Sequence, residues 1–307
     1  MIRVRVTATS TIAMLASAGA LLAGCGGTSG HIGEQVATNG GRLPVVAAEN
    51  FYGDLMAQVG GERVAATSIL SNPDADPHLF EPGTQNALAV ANARVVVRNG
   101  DGYDDWMTKL LDAAPSPGRR LVTVANVVPQ PGPDPNPHLW YDTPALPQIV
   151  TTIGDALAAA DPSNAGPYRA GVQRTIDGLA PLQAAVGRLR AAHFGAAVAY
   201  TERVPGLLLA AAGLQVLTPP GFARAVENGT DPTPADVAAL QRLLTEHRVR
   251  VLLYNEQATS PLTVRLRQVA AGAGVPVVAV TETEPAGTGF TSWQLGQVDA
   301  LDRALSR

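Results

Sequence analysis

Two histidines stand in closely similar surroundings, each directly after a proline and close to acidic side chains. His78 lies in Asp-Pro-His-Leu-Phe-Glu-Pro (residues 76–82), and His138 lies in Asn-Pro-His-Leu-Trp-Tyr-Asp (residues 136–142). Proline fixes the local backbone and disfavours a helix, so each imidazole is expected in a loop or at the edge of an element. Such rigid placement is what a metal ligand requires. The two motifs therefore predict a metal site, and two packed or solvated histidines are the alternative.

The remaining histidines and the common hydrolase motifs add no further site. His31 lies in a stretch rich in Gly, Ser and Thr, and His193 and His247 lie at predicted helix ends, so all three are expected to contact solvent. The sequence contains neither a His-Glu-x-x-His motif nor a Gly-x-Ser-x-Gly motif. A metal-dependent hydrolase is still an alternative to a metal-binding protein, because zinc held by two histidines and a carboxylate also activates water.

The overall composition excludes several other classes of protein. The chain has 307 residues with 22 basic and 26 acidic side chains, a net charge of −4, and lacks the clustered positive charge of a nucleic-acid-binding protein. Its only lysine, Lys109, follows no Gly-rich loop, which excludes a phosphate-binding P-loop. Its only cysteine, Cys25, excludes a disulfide framework. Apolar residues make up 46% of the chain, enough for one large core or two ordinary ones.

The first 25 residues have the pattern of an export signal. Two arginines precede an apolar run (residues 6–22) that is too short for a good membrane span, and the run ends in Leu-Ala-Gly-Cys (residues 22–25). This ending resembles the lipobox of bacterial lipoproteins, in which the cysteine becomes the lipid-carrying first residue. We therefore expect a signal peptide (residues 1–24), lipidation of Cys25 and an extracytoplasmic protein anchored to the outer face of the cell membrane. A plain signal peptide is the alternative.

From residue 43 onward, short β-branched runs alternate with segments of helical periodicity. Such alternation is typical of an α/β fold with mainly parallel sheets and helices on both sides. The predicted strands are residues 43–48, 63–70, 94–98, 120–125, 196–201, 215–218, 249–255 and 275–281. The predicted helices are residues 52–59, 85–93, 104–113, 204–212, 235–248, 261–271 and 292–305.

A strand-free stretch separates these elements into two groups. Apolar side chains recur every three or four residues from Ile176 to Leu189. This period predicts one amphipathic helix over residues 164–192, whose 29 residues would span about 43 Å, with a kink or break at Pro181 as the alternative. Such a helix would permit only a small hinge movement. The predicted organisation is a flexible tether (25–42), an N-terminal α/β lobe (43–163), a linker helix (164–192) and a C-terminal α/β lobe (193–307).

The order of several motifs resembles the zinc- and manganese-type solute-binding lipoproteins of ABC importers, the cluster A-I family. The matching stretches are VVAAENFYGDLMAQVGGERVAATSILSNPDADPHLFEP (45–82), NGDGYDDW (99–106), NPHLWYDTPALPQIV (136–150) and DPSNAGPYRAG (161–171), and the likeness continues to the end of the chain. The resemblance implies a monomeric, two-lobed receptor without enzymatic activity, which binds a divalent metal between its lobes. It also implies delivery of the metal to a membrane permease driven by a cytoplasmic ATPase. A surface adhesin is an alternative within the same family.

The resemblance further implies four metal ligands. His78 and His138 match the two ligands of the family's N-terminal lobe, and Glu202 matches the third ligand, which follows a strand of the C-terminal lobe. The fourth ligand of the family is usually an Asp after the last strand. Here Glu282 matches best, and Glu284 is the alternative.

Two further acids lie beside the Pro-His motifs. Asp142 and Glu81 are close enough in the sequence to orient the imidazoles by accepting hydrogen bonds from them. They are equally suited to be helix caps or surface charges. Both interpretations stay open at the level of the sequence.

The chemistry of this ligand set suits a divalent transition metal. Two neutral imidazoles and two carboxylates cancel the charge of the ion, so the site can be buried at little desolvation cost. Two chelating carboxylates would offer six donors in all, which suits Mn²⁺, whereas single-oxygen binding gives the four donors of tetrahedral Zn²⁺. The Pro-rich segment 128–137 lacks the His-rich insertion of many zinc carriers, which favours Mn²⁺ and keeps Zn²⁺ as the alternative.

Overall fold

A computed structural model of the protein describes residues 41–72 and 80–307. The predicted signal peptide, Cys25, His31 and most of the predicted tether lie outside the described residues, and so does His78. Within the described ranges, no helix is both long and apolar enough to cross a membrane.

A four-stranded parallel sheet forms the centre of the N-terminal lobe, in the order β2-β1-β3-β4. Its strands are β1 (Leu43–Glu49), β2 (Val64–Leu70), β3 (Val95–Arg98) and β4 (Arg120–Thr123). The register places Val45 of β1 between Ala66 of β2 and Val95 of β3. A nearly continuous run of buried residues marks β1 as a central strand that is covered on both faces.

Five α-helices of the described residues follow or connect these strands. They are α1 (Asn50–Gly60), α2 (Thr84–Asn92), α3 (Asp105–Ala113), α4 (Val124–Val127) and α5 (Leu146–Ala160). Helix α5 was not predicted from the sequence, although its buried apolar side chains recur at helical spacing. Val124 and Ala125 of α4 were wrongly predicted as the end of the fourth strand, because a short apolar run does not distinguish a strand from a helical turn.

The C-terminal lobe repeats this arrangement with the strand order β6-β5-β7-β8, also parallel. Its elements are β5 (Ala197–Tyr200), α7 (Gly206–Ala211), β6 (Gln215–Val216), α8 (Pro220–Glu227), α9 (Pro234–Thr245), β7 (Leu252–Asn255), α10 (Pro261–Gly272), β8 (Val277–Val280) and α11 (Phe290–Leu305). Helix α8 was also not predicted. The predicted start of α9 is capped by Thr233, whose Oγ1 accepts a hydrogen bond from the backbone N of Asp236 at 3.2 Å.

A single long helix, α6 (Ala165–His193), connects the lobes. Its 29 residues correspond to about 43 Å and confirm the predicted connecting helix. The helix continues through Pro181, which lies on its exposed side, where water can hydrate the carbonyl that loses its backbone donor. Gly171 allows α6 to approach α1, because a Cβ atom at this position would lie 1.9 Å from the carbonyl oxygen of Val59.

The largest hydrophobic core extends through both lobes, which belong to one unit (Val36–Arg307). Aromatic rings link the lobes at its centre. Phe51 of α1 stacks on Trp140 with ring centroids 4.2 Å apart, and on Trp293 of α11 at 6.2 Å. A smaller cluster of apolar side chains lies on the other face of each sheet. The predicted fold, two lobes of parallel sheet joined by a long helix, is confirmed.

Candidate metal centre

The carboxyl ends of the strands carry a group of buried polar side chains. Glu202 lies two residues after β5, Asn255 is the last residue of β7, and Glu282 lies two residues after β8. In the N-terminal lobe, Asn99 follows β3 directly. In parallel α/β sheets, ligands bind outside the carboxyl ends of the strands where the strand order reverses, and both sheets have this order. The topology therefore brings residues that are distant in the sequence to one place.

His138, Glu202 and Glu282 form a cluster at this place. One potential ligand atom of each residue lies within 4.8 Å of the others. The three residues are 0%, 1% and 0% exposed. His138 Nε2 lies 3.6 Å from Glu282 Oε2. In the part of the chain that the structure describes, this is the one group of at least three His, Cys, Asp or Glu side chains with the spacing of a metal site.

Asn255 holds the two carboxylates of the cluster together. Its Nδ2 donates hydrogen bonds to Glu202 Oε2 at 2.6 Å and to Glu282 Oε1 at 2.7 Å. The backbone N of Asn255 donates to Thr201 Oγ1 at 3.1 Å, and the backbone N of Glu282 donates to Gln257 Oε1. The carboxylates that follow β5 and β8 are thus fixed beside each other by the amide at the end of β7, the strand between them.

Hydrogen bonds within the N-terminal lobe orient His138. Its backbone N donates to Asn136 Oδ1 at 3.1 Å, and its Nδ1 lies 2.8 Å from the same oxygen. Because an amide oxygen only accepts, Nδ1 carries a proton, and Nε2, which faces Glu282, is the nitrogen placed to bind a metal. The preceding Pro137 is also held, since its carbonyl oxygen accepts a hydrogen bond from Asn99 Nδ2 at 2.7 Å.

A buried tyrosine joins the two lobes at the cluster. Tyr103 Oη donates a hydrogen bond to Glu282 Oε2 at 3.0 Å, and its ring makes an edge contact with His138 at 5.6 Å between centroids. Burial, and then the nearby Glu282 carboxylate, raises the pKa of Tyr103 well above its usual value. Tyr103 therefore stays a neutral hydrogen-bond donor.

Two further buried acids lie near this part of the N-terminal lobe. Asp104 accepts hydrogen bonds from the backbone N atoms of Asn99 and Gly100 at 2.7 and 2.8 Å, and burial raises its pKa. Glu49, the last residue of β1, is 0% exposed. Burial, and then the Asp104 carboxylate, raises the pKa of Glu49 well above its usual value, which favours its neutral form.

Glu284, the alternative to Glu282 as the fourth ligand, lies outside the cluster. Its backbone N donates to Asn50 Oδ1 at 3.1 Å, and Asn50 Nδ2 donates to its carbonyl oxygen at 2.7 Å. Burial, and then the carboxylate of Asp54, raises the pKa of Glu284 to about 8. Glu284 therefore contributes to the contact between the lobes, whereas Glu282 belongs to the cluster.

The other acids and histidines named in the sequence analysis and described by the structure do not belong to the cluster. Asp142 accepts a hydrogen bond from Gln130 Nε2 at 3.1 Å, and Asn136 is the residue that contacts His138 Nδ1. Glu81 is exposed on the surface, and so is His247. His193, the last residue of α6, places its Nε2 3.0 Å from Asp302 Oδ1.

The polar residues that support the cluster were not predicted from the sequence. Asn136, Asn255, Asn99 and Tyr103 each make a hydrogen bond to the cluster residues or to the backbone beside them. The sequence positions of two of these residues could have indicated their role. Asn255 is a polar residue at the end of a buried apolar strand, and Asn136 starts the Asn-Pro-His motif.

Two parallel α/β lobes, a long connecting helix and a buried imidazole–carboxylate cluster between the lobes are the features of a metal-binding solute receptor of an ABC importer. Residues 45–304 match the family described as zinc-uptake complex component A, periplasmic (ZnuA), and the chain belongs to this family. The family consists of extracytoplasmic solute-binding proteins, so the expectation that the protein is not an enzyme is confirmed.

Individual relatives extend this assignment. A protein of Treponema pallidum that is named for metal binding is 26% identical over 292 residues, which cover 88% of this chain and 89% of the relative. The manganese-binding lipoprotein MntA of Halalkalibacterium halodurans is 28% identical over 170 residues, which cover 53% of each chain. The solved structure of the periplasmic zinc-binding protein TroA from Treponema pallidum has the same fold, with a TM-score of 0.75 at 18% identity over 87% of this chain and 100% of that chain.

Proposed function

We propose that the protein is a lipid-anchored receptor that binds Mn²⁺ or Zn²⁺ between its lobes and delivers the ion to an ABC permease with a cytoplasmic ATPase. The observation that carries this proposal is the buried cluster of His138, Glu202 and Glu282. Two buried carboxylates at this spacing repel each other, and a divalent cation cancels their charge.

The proposed ligands come from both lobes. His138 belongs to the N-terminal lobe, and Glu202 and Glu282 belong to the C-terminal lobe. His78 is proposed as the second imidazole because of its Asp-Pro-His motif and the family resemblance. Since each lobe supplies part of the ligand set, movement of the lobes apart would release the ion to the permease.

Mn²⁺ is favoured over Zn²⁺ as the ion carried in the cell. Carboxylate oxygens are hard donors that suit Mn²⁺, and the relative from Halalkalibacterium halodurans is named for manganese. The structural neighbour from Treponema pallidum is named for zinc. Zinc binds most N/O ligand sets more tightly than manganese, so affinity in the test tube does not identify the physiological ion.

Membrane anchoring is proposed from Cys25 in its Leu-Ala-Gly-Cys motif and from the lipoprotein name of MntA. A Cys25→Ser variant should leave the membrane fraction, because the acyl chains attach to the thiol and to the new N-terminus. Cell fractionation tests this part of the proposal separately from metal binding.

Metal content is the main test. Protein expressed in its own host should contain about one Mn²⁺ or Zn²⁺ per chain by elemental analysis, and a double variant with His78→Ala and His138→Ala should contain none. His193→Ala is the matched control, because this imidazole pairs with Asp302 away from the cluster. Full metal occupancy in the double variant overturns the proposal.

A further inference from the structure

A cluster of ion pairs joins the two lobes beside Glu202, and Arg203 lies at its centre. Arg203 directly follows Glu202 in the sequence. Its Nε and Nη2 donate hydrogen bonds to the two oxygens of Glu227, each at 2.6 Å. The side chains of Arg203 and Glu227 are 15% and 6% exposed, so this two-bond pair is largely shielded from solvent.

The N-terminal lobe contributes Asp134 and Asn136 to the same cluster. Asp134 Oδ2 accepts a hydrogen bond from Arg203 Nη1 at 3.1 Å and also pairs with Arg224. Asn136 Nδ2 donates to the carbonyl oxygen of Arg203 at 3.0 Å. Asp134, Asn136, Arg203, Arg224 and Glu227 are called the Arg203 latch below.

The latch is connected to the cluster residues of both lobes. Asn136 contacts Arg203 through Nδ2 and His138 through Oδ1. Arg203 is the backbone neighbour of Glu202. One chain of contacts therefore links the imidazole of one lobe to a carboxylate of the other, outside the cluster itself.

The latch also borders an opening near the cluster. A cavity of about 220 Å³ is lined by Tyr103, Asp134, Arg203 and Glu227, among others. Tyr103 donates its hydroxyl hydrogen bond to Glu282 Oε2. The Tyr103 side chain thus lies between this cavity and the cluster.

We infer that the Arg203 latch holds the lobes closed over the bound ion and sets the rate at which the ion is released. This inference rests on the proposed function. The ion bridges His138 and the two carboxylates, and the latch bridges the same two lobes, so separation of the lobes breaks both. Arg203 is a positioning residue in this arrangement and does not bind the ion.

The direct consequence is a selective effect on release. Loss of a latch bond lowers the barrier for separation of the lobes and leaves the ligands intact, so the dissociation rate constant rises while the association rate constant and the metal stoichiometry stay unchanged. A residue with a purely structural role would instead lower the thermal midpoint of the metal-free protein.

The experiment measures release of Mn²⁺ or Zn²⁺ from the purified full chain into excess EDTA by stopped flow. Asp134→Asn should speed release about threefold, because Asp134 is 40% exposed and an exposed pair contributes little. Arg203→Gln should speed release about twofold, since it removes one of the two ion pairs of Asp134, whereas its buried pair with Glu227 lies within the C-terminal lobe. A variant that carries both substitutions should be no faster than Asp134→Asn, which already removes both ion pairs between the lobes.

Two further measurements test whether the ion pairs of the latch control release. High salt should speed release from the wild type and leave the Asp134→Asn rate unchanged, because Asp134 makes the ion pairs between the lobes on which screening acts. Asp302→Asn, which removes the carboxylate charge beside His193 Nε2, is the control and should release metal like the wild type.

Release rates of Asp134→Asn and Arg203→Gln within error of the wild type overturn the inference. So does faster release that is matched by a lower thermal midpoint of metal-free Asp134→Asn. If the wild type itself binds no metal in a titration, the proposed function fails, and this result is distinct from a failure of the latch.

Discussion

The two lobes present their cluster residues in different ways. In the C-terminal lobe, Glu202 and Glu282 each lie two residues after a strand, and Asn255 at the end of the strand between them donates hydrogen bonds to both carboxylates. In the N-terminal lobe, His138 lies outside any strand, at the start of a short 3-10 turn. Its position depends on hydrogen bonds that its backbone N and Nδ1 donate to Asn136 Oδ1, and on the bond that Asn99 Nδ2 donates to the carbonyl oxygen of Pro137.

This difference follows from the chemistry of the two kinds of ligand. Carboxylates that are buried side by side repel each other, so they need the stiff frame of a parallel sheet and a shared amide donor. An imidazole needs only one tautomer and one direction, which a loop held by amides provides. We therefore expect the carboxylate pair to be preformed in the metal-free protein and His138 to complete the site when the lobes are closed.

The largest expected effects come from the cluster itself. Substitutions in the two lobes should shift the thermal midpoint of the metal-free protein in opposite directions. His138→Ala and Glu282→Gln should each lower metal affinity by more than about 100-fold, because loss of a mere partner of a ligand already costs about 10- to 100-fold. In the metal-free protein, Glu282→Gln should raise the thermal midpoint by about 2–4 °C, since it relieves carboxylate repulsion. His138→Ala should lower the midpoint, because it leaves a cavity.

Isothermal titration and scanning calorimetry measure these two quantities. Glu202→Gln serves as the matched variant and should behave like Glu282→Gln, because it removes the other half of the same pair. A fall in the metal-free thermal midpoint for both carboxylate variants would contradict the idea of a preformed, repulsive pair.

Smaller effects are expected from the amides that support each lobe's share of the site. Asn255→Ala should lower metal affinity by about 100-fold because it releases two carboxylates, and Asn136→Ala by about tenfold because it releases one imidazole. Titration with the same metal ranks the two variants. A larger loss of metal affinity for Asn136→Ala than for Asn255→Ala would contradict the view that the C-terminal lobe supplies the rigid part of the site and the N-terminal lobe the adjustable part.

A substitution at Gly206 tests the role of Asn136 without changing Asn136 itself. A Cβ atom at position 206 would lie 2.7 Å from Asn136 Nδ2, so Gly206→Ala displaces the end of that side chain. Its effect on metal affinity should match that of Asn136→Ala. Gly178→Ala in α6 is the control, because nothing lies within 4 Å of a Cβ atom there.

The fold was largely predictable from the sequence because its signals are local. Each of the eight predicted strands has a counterpart in the structure, since β-branched runs between turn residues mark buried parallel strands. The helical period identified α6 even though it contains Pro181. The helices α5 and α8 gave weaker signals, because Thr and Gly interrupt the apolar period of α5 and α8 has only 8 residues.

The site was predictable only in part, because its geometry is not local. Three of the four residues predicted as ligands meet in the cluster, and this set came from motif order and resemblance, since no local pattern pairs residues 138, 202 and 282. The supporting amides of Asn99, Asn136 and Asn255 were not predicted from the sequence, because Asn is common in turns and at strand ends. The Arg203 latch depends on contacts between residues that are 69 and 90 positions apart in the chain, which no short-range pattern records.

The smallest expected effect concerns a second pair of carboxyl groups, Glu284 and Asp54, which come from different lobes and lie outside the cluster. The pKa of Glu284 is raised to about 8 by burial and by Asp54 of the N-terminal lobe. Because the folded-state pKa exceeds the unfolded value, the stability from this group is complete below about pH 4.5 and is lost as the pH rises through about 8. Glu284→Gln should therefore stabilise the metal-free protein at pH 9 by about 2 °C in thermal midpoint and have almost no effect at pH 5.

Calorimetry of the wild type and of Glu284→Gln across this pH range tests the prediction, with the exposed Glu246→Gln as the control that should show no pH-dependent difference. The substitution keeps the bonds between Asn50 and the backbone of residue 284, so it changes charge without removing the contact between the lobes. If Glu284→Gln gained stability equally at pH 5 and pH 9, the Glu284 carboxyl group would be charged at both pH values. Glu284 and Asp54 would then repel each other throughout this range, like the two carboxylates of the cluster.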